Sequence, residues 1–292
     1  MKKIGVFLPV SKDQIKKISK YGDIRNDFNV DWIITNPNNL TFRFDESVLR
    51  GTPIKLINTV STGTNHIDLD YCKENNIKVF SLKNDFGLLQ NLPSTAELAM
   101  TLLLGVARHI PRYLISKEWN WKKNFIGREI KPMKVGVVGF GRLGKMFENM
   151  IRGFGCETLI CESETIGGKF VNIDTIFREC DAISFHVHAD GNNNLICADK
   201  INLSNKAPII INTSRGAIAN ENDILKALKD GKIFGYGTDV LATEFSENPL
   251  DNILWKNRNK HNIMITPHIG GMTKEGYEKA FDFAIRKFGL DI

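Results

Sequence analysis

The chain has 292 residues and a mass of 33.0 kDa, room for two domains at about 150 residues each. With 42% hydrophobic and 25% charged residues it has the composition of a globular protein, which excludes a disordered chain, a collagen-like fibre and a disulfide-stapled miniprotein. Lys and Arg outnumber Asp and Glu by 39 to 33, but the positive residues come only in short runs (Lys2-Lys3, Lys16-Lys17, Lys122-Lys123), not in the stripe that nucleic acid requires.

Apolar runs of strand length alternate with amphipathic runs of helix length, the pattern of parallel sheets covered by helices. The first series has strands over 3–8, 31–35, 54–60 and 77–81, with helices near 13–19, 45–49 and 68–75. Pro93-Ser-Thr-Ala-Glu97 then opens a long apolar helix ending about Arg108; Ser94 and Glu97 have capping-box spacing. So apolar a helix must be buried on most of its surface, between domains or between subunits. The second series has strands over 134–139, 157–161, 182–187, 208–212, 235–240 and 263–266, and a helix over 221–229. A last helix, 274–288, is expected to pack back on the first domain.

The longest apolar stretch, Leu98 to Ala107, is far shorter than the ~20 residues of a membrane span, so no membrane partner is expected. Five cysteines (Cys72, Cys156, Cys161, Cys180, Cys197), an odd number with no C-x-x-C, and the absence of a leader at the start point to reduced thiols in a cytoplasmic protein.

Gly139-Phe-Gly-Arg-Leu-Gly144 matches G-x-G-x-x-G between a strand and a helix, the context of a dinucleotide-binding turn. Gly139 permits the tight turn, Gly141 lets the backbone approach a pyrophosphate, and Gly144 lets helix and strand pack closely. Glu162 follows at a distance suited to gripping a ribose 2′-hydroxyl, which favours NAD over NADP; Glu164 is a rival for that role. Arg215, in Asn212-Thr-Ser-Arg-Gly216, lies at the carboxyl end of a strand, where a guanidinium can clamp a carboxylate. His268, in Pro267-His-Ile-Gly-Gly271, also follows a strand and suits proton transfer near neutral pH; Glu244 is a candidate partner for its ring. His66, His109 and His261 read as surface residues. His186 and His188 share a strand face, but no further ligand stands at diagnostic spacing, so no metal is expected.

Taken in order, Gly139–Gly144, Glu162, Ser214-Arg-Gly216, Thr238-Asp-Val240, Glu244 and Pro267–Gly271 resemble the D-isomer-specific 2-hydroxyacid dehydrogenases. Thr62-Gly-Thr-Asn-His-Ile-Asp68 is similar to that family's substrate loop, and Ser94–Glu97 to the start of its interdomain helix. The resemblance implies an α/β protein of two Rossmann-like or flavodoxin-like domains with parallel sheets and the active site in the cleft between them. Residues 1–93 with 273–292 would be the substrate domain and 94–272 the NAD-binding domain. It implies a cytoplasmic homodimer that interconverts a D-2-hydroxy acid and a 2-oxo acid with NAD. Arg215 would bind the substrate carboxylate and carbonyl, His268 would exchange the proton, and Glu244 would keep His268 protonated. N–H groups around Thr62 and Gly63 would hold the substrate carboxylate. Arg142 and Leu143 would cover the pyrophosphate, Asp239 would hydrogen-bond the nicotinamide amide, and Thr213 would line its pocket.

The chain departs from the family in carrying Val187-His-Ala189 where Val-Pro-Leu is usual, and Asp190–Asn194 in place of the usual polar loop. Asn84–Asn91 resembles a bacterial branch labelled phosphoglycerate-dehydrogenase-like, and the chain ends too soon for a regulatory domain, so serine feedback is not expected. A second reading is an NADH-sensing binding protein of the same fold. A third, formate dehydrogenase, normally has glutamine where Glu244 stands. Glyoxylate, hydroxypyruvate, pyruvate or a larger phosphorylated or sugar-derived acid would fit as substrate, with Phe86, Leu88 and Leu89 lining its side-chain pocket.

Overall fold

The computed structural model describes every residue except 38, 39, 41, 117, 118, 120–124, 163–169, 189, 190, 247 and 290–292. The chain divides into two compact units, Met1–Leu92 with Met272–Ile292, and Pro93–Gly271.

The first unit holds a five-stranded sheet of β1 (Lys2–Phe7), β2 (Gly22–Arg25), β3 (Trp32–Thr35), β4 (Leu56–Thr59) and β5 (Lys78–Phe80). The order is β2-β1-β3-β4-β5 with every pair parallel, the flavodoxin-like arrangement. β3 and β4 are buried at all four positions, because helices cover both faces and no alternation is needed. β2 is absent from the sequence reading for the opposite reason. Gly-Asp-Ile-Arg is a half-exposed edge strand and carries no apolar run. The helix Lys12–Ile18 begins at a capping box of Ser11 and Gln14. The C-terminal helix Lys274–Arg286 belongs to this unit: Phe281, Ala284 and Ile285 enter its core, and Asn58 Nδ2 donates to the Ala284 carbonyl at 2.7 Å.

The second unit is built on β6 (Lys134–Val138), β7 (Glu157–Cys161), β8 (Ala182–Phe185), β9 (Ile209–Asn212), β10 (Gly235–Thr238) and β11 (Ile263–Ile265), again all parallel. The order is β11-β10-β9-β8-β6-β7, and Phe170 adds one parallel bridge to Ile160 on β7. Counting that bridge as a vestigial third strand gives the 3-2-1-4-5-6 order of dinucleotide-binding sheets with β11 added as a seventh strand, and the switch point lies between β6 and β8.

The helix Ser94–Ala107 lies in the core of this unit, where Leu102, Leu103 and Val106 pack with Val135, Val137, Ile209 and Ile211. The expected capping box does not form. The helix starts one residue earlier, Pro93 is its cap without a side-chain hydrogen bond, and Ser94 is buried in the first turn.

Candidate active site

Gly139, at φ +88°, ends β6 with a turn that only glycine enters without strain. A Cβ there would lie 2.6 Å from the His186 carbonyl oxygen, and one on Gly144 only 2.0 Å from the Gly139 carbonyl oxygen. Strand, turn and the helix Arg142–Gly153 are therefore in backbone contact. Gly141 is different: among the described residues a Cβ there would meet nothing within 4 Å, and Gly141, as the cap, has no side chain to bond the helix it precedes. The glycine at the cap thus supplies no side-chain acceptor at the start of the helix, a position suited to an anion. Glu162 follows β7 directly, and its carboxylate accepts the Phe140 N–H at 2.6 Å, which sets it over the glycine turn. Arg142 and Leu143 are the first residues of the helix; burial pushes the Arg142 guanidinium's pKa down. Glu164 lies outside the described residues, as do Ala189 and Asp190.

At the carboxyl ends of β9, β10 and β11 a second group assembles. Arg215 follows β9 and is half-buried, with Nη1 donating to the Ser214 carbonyl at 2.7 Å. A Cβ on Gly216 would lie 2.2 Å from the Leu241 carbonyl carbon, so the Arg215 loop packs backbone to backbone on the segment leading to Glu244. Glu244 Oε2 is 3.0 Å from His268 Nδ1. A carboxylate there accepts Nδ1–H and turns Nε2 to the opposite edge of the ring. His268 itself is left-handed, φ 55°, a conformation costly for a non-glycine residue. Asp239 holds it there. Its carbonyl accepts the His268 N–H at 2.9 Å. Its carboxylate accepts Thr266 Oγ1 at 2.6 Å, Ile269 N–H at 2.8 Å and Gly270 N–H at 2.7 Å. Three of about four acceptor positions are filled, leaving one for a ligand. Burial pushes the Asp239 carboxyl up, against these hydrogen bonds. Thr213, beside Arg215, has a buried hydroxyl with no partner among the described residues.

Thr62 and Gly63 belong to the first unit, just beyond β4. Among the described residues the N–H groups of Thr62, Gly63 and Thr64 donate to nothing in the chain. His66, expected at the surface, is instead 2% exposed, and burial pushes its pKa down to about 4. The loop folds inward and pairs with Phe44, which an isolated histidine in a polar run does not signal. β8 ends at Phe185, so His186 and His188 do not share a strand face. His186 Nε2 instead meets Ser184 Oγ at 3.0 Å, and His188 is exposed. Among the described residues no group of three His, Cys, Asp or Glu side chains is placed to hold a metal ion, and no helix is long and apolar enough to cross a membrane.

Residues 100–270 match the family model for the NAD-binding domain of D-isomer specific 2-hydroxyacid dehydrogenases. The chain belongs to that family. The hydroxypyruvate reductase of Thermotoga maritima is 33% identical over 236 residues, 78% of this chain and 74% of that protein. The glyoxylate reductase of Thermococcus litoralis is 34% identical over 258 residues, 82% of this chain and 74% of that protein. Among solved structures, a D-2-hydroxyisocaproate dehydrogenase aligns with a TM-score of 0.80 at 23% identity, covering 99% of this chain and 96% of that one. A D-lactate dehydrogenase from Aquifex aeolicus, complexed with NAD and lactic acid, aligns with a TM-score of 0.79 at 22% identity, over 98% and 94%. The enzyme is thus an NAD-dependent oxidoreductase that interconverts 2-hydroxy and 2-oxo acids, and the sensor reading is not favoured.

The residues present fit NAD. The open space at Gly141 is of the kind a pyrophosphate needs, and the orphaned Thr213 hydroxyl and the spare acceptor position of Asp239 are polar groups that a carboxamide can satisfy. Several bracing residues went unread in the sequence. Glu221 accepts the Ala242 N–H at 2.9 Å and Asn252 Nδ2 at 2.6 Å, and Asn252 also reaches Thr243 Oγ1, so the segment before Glu244 is pinned. Ser214 Oγ ties the ends of β8 and β9 together through the Phe185 carbonyl at 2.8 Å and the Val187 N–H at 3.1 Å. Only Thr266, next to Pro267-His268, stood close enough in sequence to be noticed.

Proposed function

We propose that the enzyme reduces short 2-oxo acids of the glyoxylate and hydroxypyruvate class, with Arg215, His268 and Glu244 as its catalytic residues. The observation that carries this reading is the His268 Nδ1–Glu244 Oε2 contact of 3.0 Å on a turn braced by Asp239. When bound, NADH supplies the hydride to C2 of the acid. Charge builds on the carbonyl oxygen as C2 is reduced, and the Arg215 guanidinium stabilises it. His268, protonated and held by Glu244, delivers its Nε2 proton to that oxygen; in the reverse direction the neutral ring accepts it. The N–H groups of Thr62 and Gly63 hold the substrate carboxylate, and a second hydrogen bond from Arg215 orients it. Gly139, Gly141, Arg142, Leu143 and Gly144 hold the pyrophosphate, Glu162 the ribose, and Thr213 and Asp239 the carboxamide.

The short-acid class follows from the relatives named for glyoxylate and hydroxypyruvate at 33–34% identity. A cytoplasmic homodimer is part of the same reading. Its support is the run of exposed apolar side chains close together in sequence, Ile110, Leu114, Ile115, Trp119 and Ile126, which a second copy would cover.

The test is titration of NADH and NADPH by fluorescence, then turnover of a panel of 2-oxo acids followed at the reduced-nicotinamide band. The expected result is NADH preference, with glyoxylate and hydroxypyruvate leading the panel. His268→Ala should lower kcat by roughly 10²–10⁴-fold and leave NADH binding intact. Near-normal turnover by that variant overturns the assignment.

A further inference from the structure

At and beyond the end of β4 three side chains form a chain of contacts that ends on the backbone of the Thr62–Gly63 loop. His66 Nε2 is 2.9 Å from Thr59 Oγ1, Thr59 Oγ1 is 2.8 Å from Ser61 Oγ, and Ser61 Oγ is 2.7 Å from the Gly63 carbonyl oxygen. We propose that these residues form a one-way hydrogen-bond relay that fixes the shape of this loop, and that His66, Thr59 and Ser61 are thereby positioning residues for the substrate carboxylate. The proposal rests on the role given above to the N–H groups of Thr62 and Gly63.

The direction of the relay follows from proton counting. A carbonyl only accepts, so Ser61 spends its single proton on Gly63. Ser61 must then accept the proton of Thr59. Thr59 has none left, so it must accept from His66, and the ring carries its hydrogen on Nε2. The opposite tautomer would set two oxygen lone pairs against each other across the 2.8 Å contact and bury an N–H at Nδ1. Nδ1 is indeed buried with no partner among the described residues, which a bare lone pair tolerates better than an N–H does. The low pKa of His66 keeps the ring neutral, as the tautomer requires. Each hydroxyl accepts once and donates once, so each bond polarises the next.

The relay is anchored at rigid points. Thr59 is the last residue of β4 and fully buried, and His66 is fixed by its own carbonyl, which accepts the Phe44 N–H at 2.8 Å. From these points the relay turns the Gly63 carbonyl toward Ser61. Because a peptide is planar, gripping that carbonyl fixes the plane that follows Gly63, and with it the Gly63 torsion that sets this plane against the one carrying the Gly63 N–H. Among the described residues the N–H groups of Thr62, Gly63 and Thr64 make no bond that would do this. Without the relay, the conformational freedom of Gly63 would have to be lost at each binding event.

The test reads binding and structure separately. Oxamate, a 2-oxo acid analogue with an intact carboxylate, is titrated against the enzyme–NADH complex by nicotinamide fluorescence. Ser61→Ala and Thr59→Val should weaken oxamate and raise KM for glyoxylate about tenfold, the worth of one hydrogen bond. They should leave NADH affinity unchanged and kcat within about threefold of wild type. Thr59→Ser keeps the hydroxyl and His66→Gln keeps an N–H near the Nε2 position, so both should restore near-wild-type affinity. Ser61 is only half-buried, so Ser61→Ala serves even if Thr59→Val fails to fold. Nitrogen-15 spectra of His66 should show a protonated Nε2 and a bare Nδ1; the reverse tautomer overturns the relay. If the amides of Thr62–Thr64 shift with oxamate while Ser61→Ala binds it as wild type does, the relay proposal alone fails. If those amides do not shift, the carboxylate role of the loop fails and the proposal falls with it.

Discussion

Alanine at Gly144 and alanine at Gly141 should have opposite effects, although the two glycines belong to one turn. At Gly144 the added Cβ would sit 2.0 Å from the Gly139 carbonyl oxygen. Comfortable contact between heavy atoms is near ~3.5 Å, so the helix Arg142–Gly153 would have to retreat by about 1.5 Å. That helix packs Phe147 and Ile151 into the core, so the retreat cannot be absorbed at the surface. Overpacking of this kind costs about 1–3 kcal/mol. For a unit of this size it should lower Tm by roughly 2–12 °C. At Gly141 the Cβ meets nothing within 4 Å, so stability should change by less than about 1 kcal/mol. The methyl group instead occupies the approach to the pyrophosphate. Losing one hydrogen bond to that anion should raise the NADH dissociation constant about 10–100-fold. Differential scanning calorimetry of the cofactor-free variants and a fluorescence titration with NADH give both quantities. The reasoning is refuted if Gly141→Ala melts as early as Gly144→Ala, or if it binds NADH like the wild type.

Asp239→Asn replaces an acceptor with an NH2 that must face the Thr266 hydroxyl or the Ile269 or Gly270 N–H. The His268 turn should loosen, and a displacement of ~1 Å there should lower kcat about 100-fold while the fold persists by circular dichroism. A wild-type kcat would show that the turn holds His268 without Asp239. Burial depresses the pKa of His66 to about 4 and that of His186 to about 3. Both folded values lie below that of an exposed histidine, so between about pH 6.5 and 4 the unfolded chain binds more protons and stability falls as the pH falls. Each histidine contributes a slope of about 1.4 kcal/mol per pH unit in that window, measurable by urea unfolding at stepped pH. His66→Gln should remove one of the two slopes, and a flat profile from pH 6.5 to 4.5 would show that neither ring is buried neutral.

Elements that bury an apolar stripe, or that need a particular residue type, were legible in the chain itself. Strands such as β3 and β4 announced themselves as apolar runs because both faces are covered, and β2 did not because it is half-exposed. The Gly139–Gly144 turn was legible because positive φ and backbone contact demand glycine. Ser94 and Glu97 had the right spacing for a cap, but the helix began at Ser94 with Pro93 as its cap, a choice made by packing rather than by local chemistry. The burial of His66 was equally hidden, since it depends on Phe44, distant in sequence.

Sequence alone therefore determined the order of the strands and helices other than the edge strand β2, the glycine turn and the residue types available for chemistry, all of which depend on local backbone limits and on periodicity. Tertiary structure decided which of those residues meet. Glu244 reaches His268, Asp239 holds the strained turn, Glu221 and Asn252 brace the segment before Glu244, and Ser61 grips Gly63. Except for the last, these pairs lie more than twenty residues apart in the chain, and they meet because parallel strands deliver their carboxyl ends to one edge of a sheet.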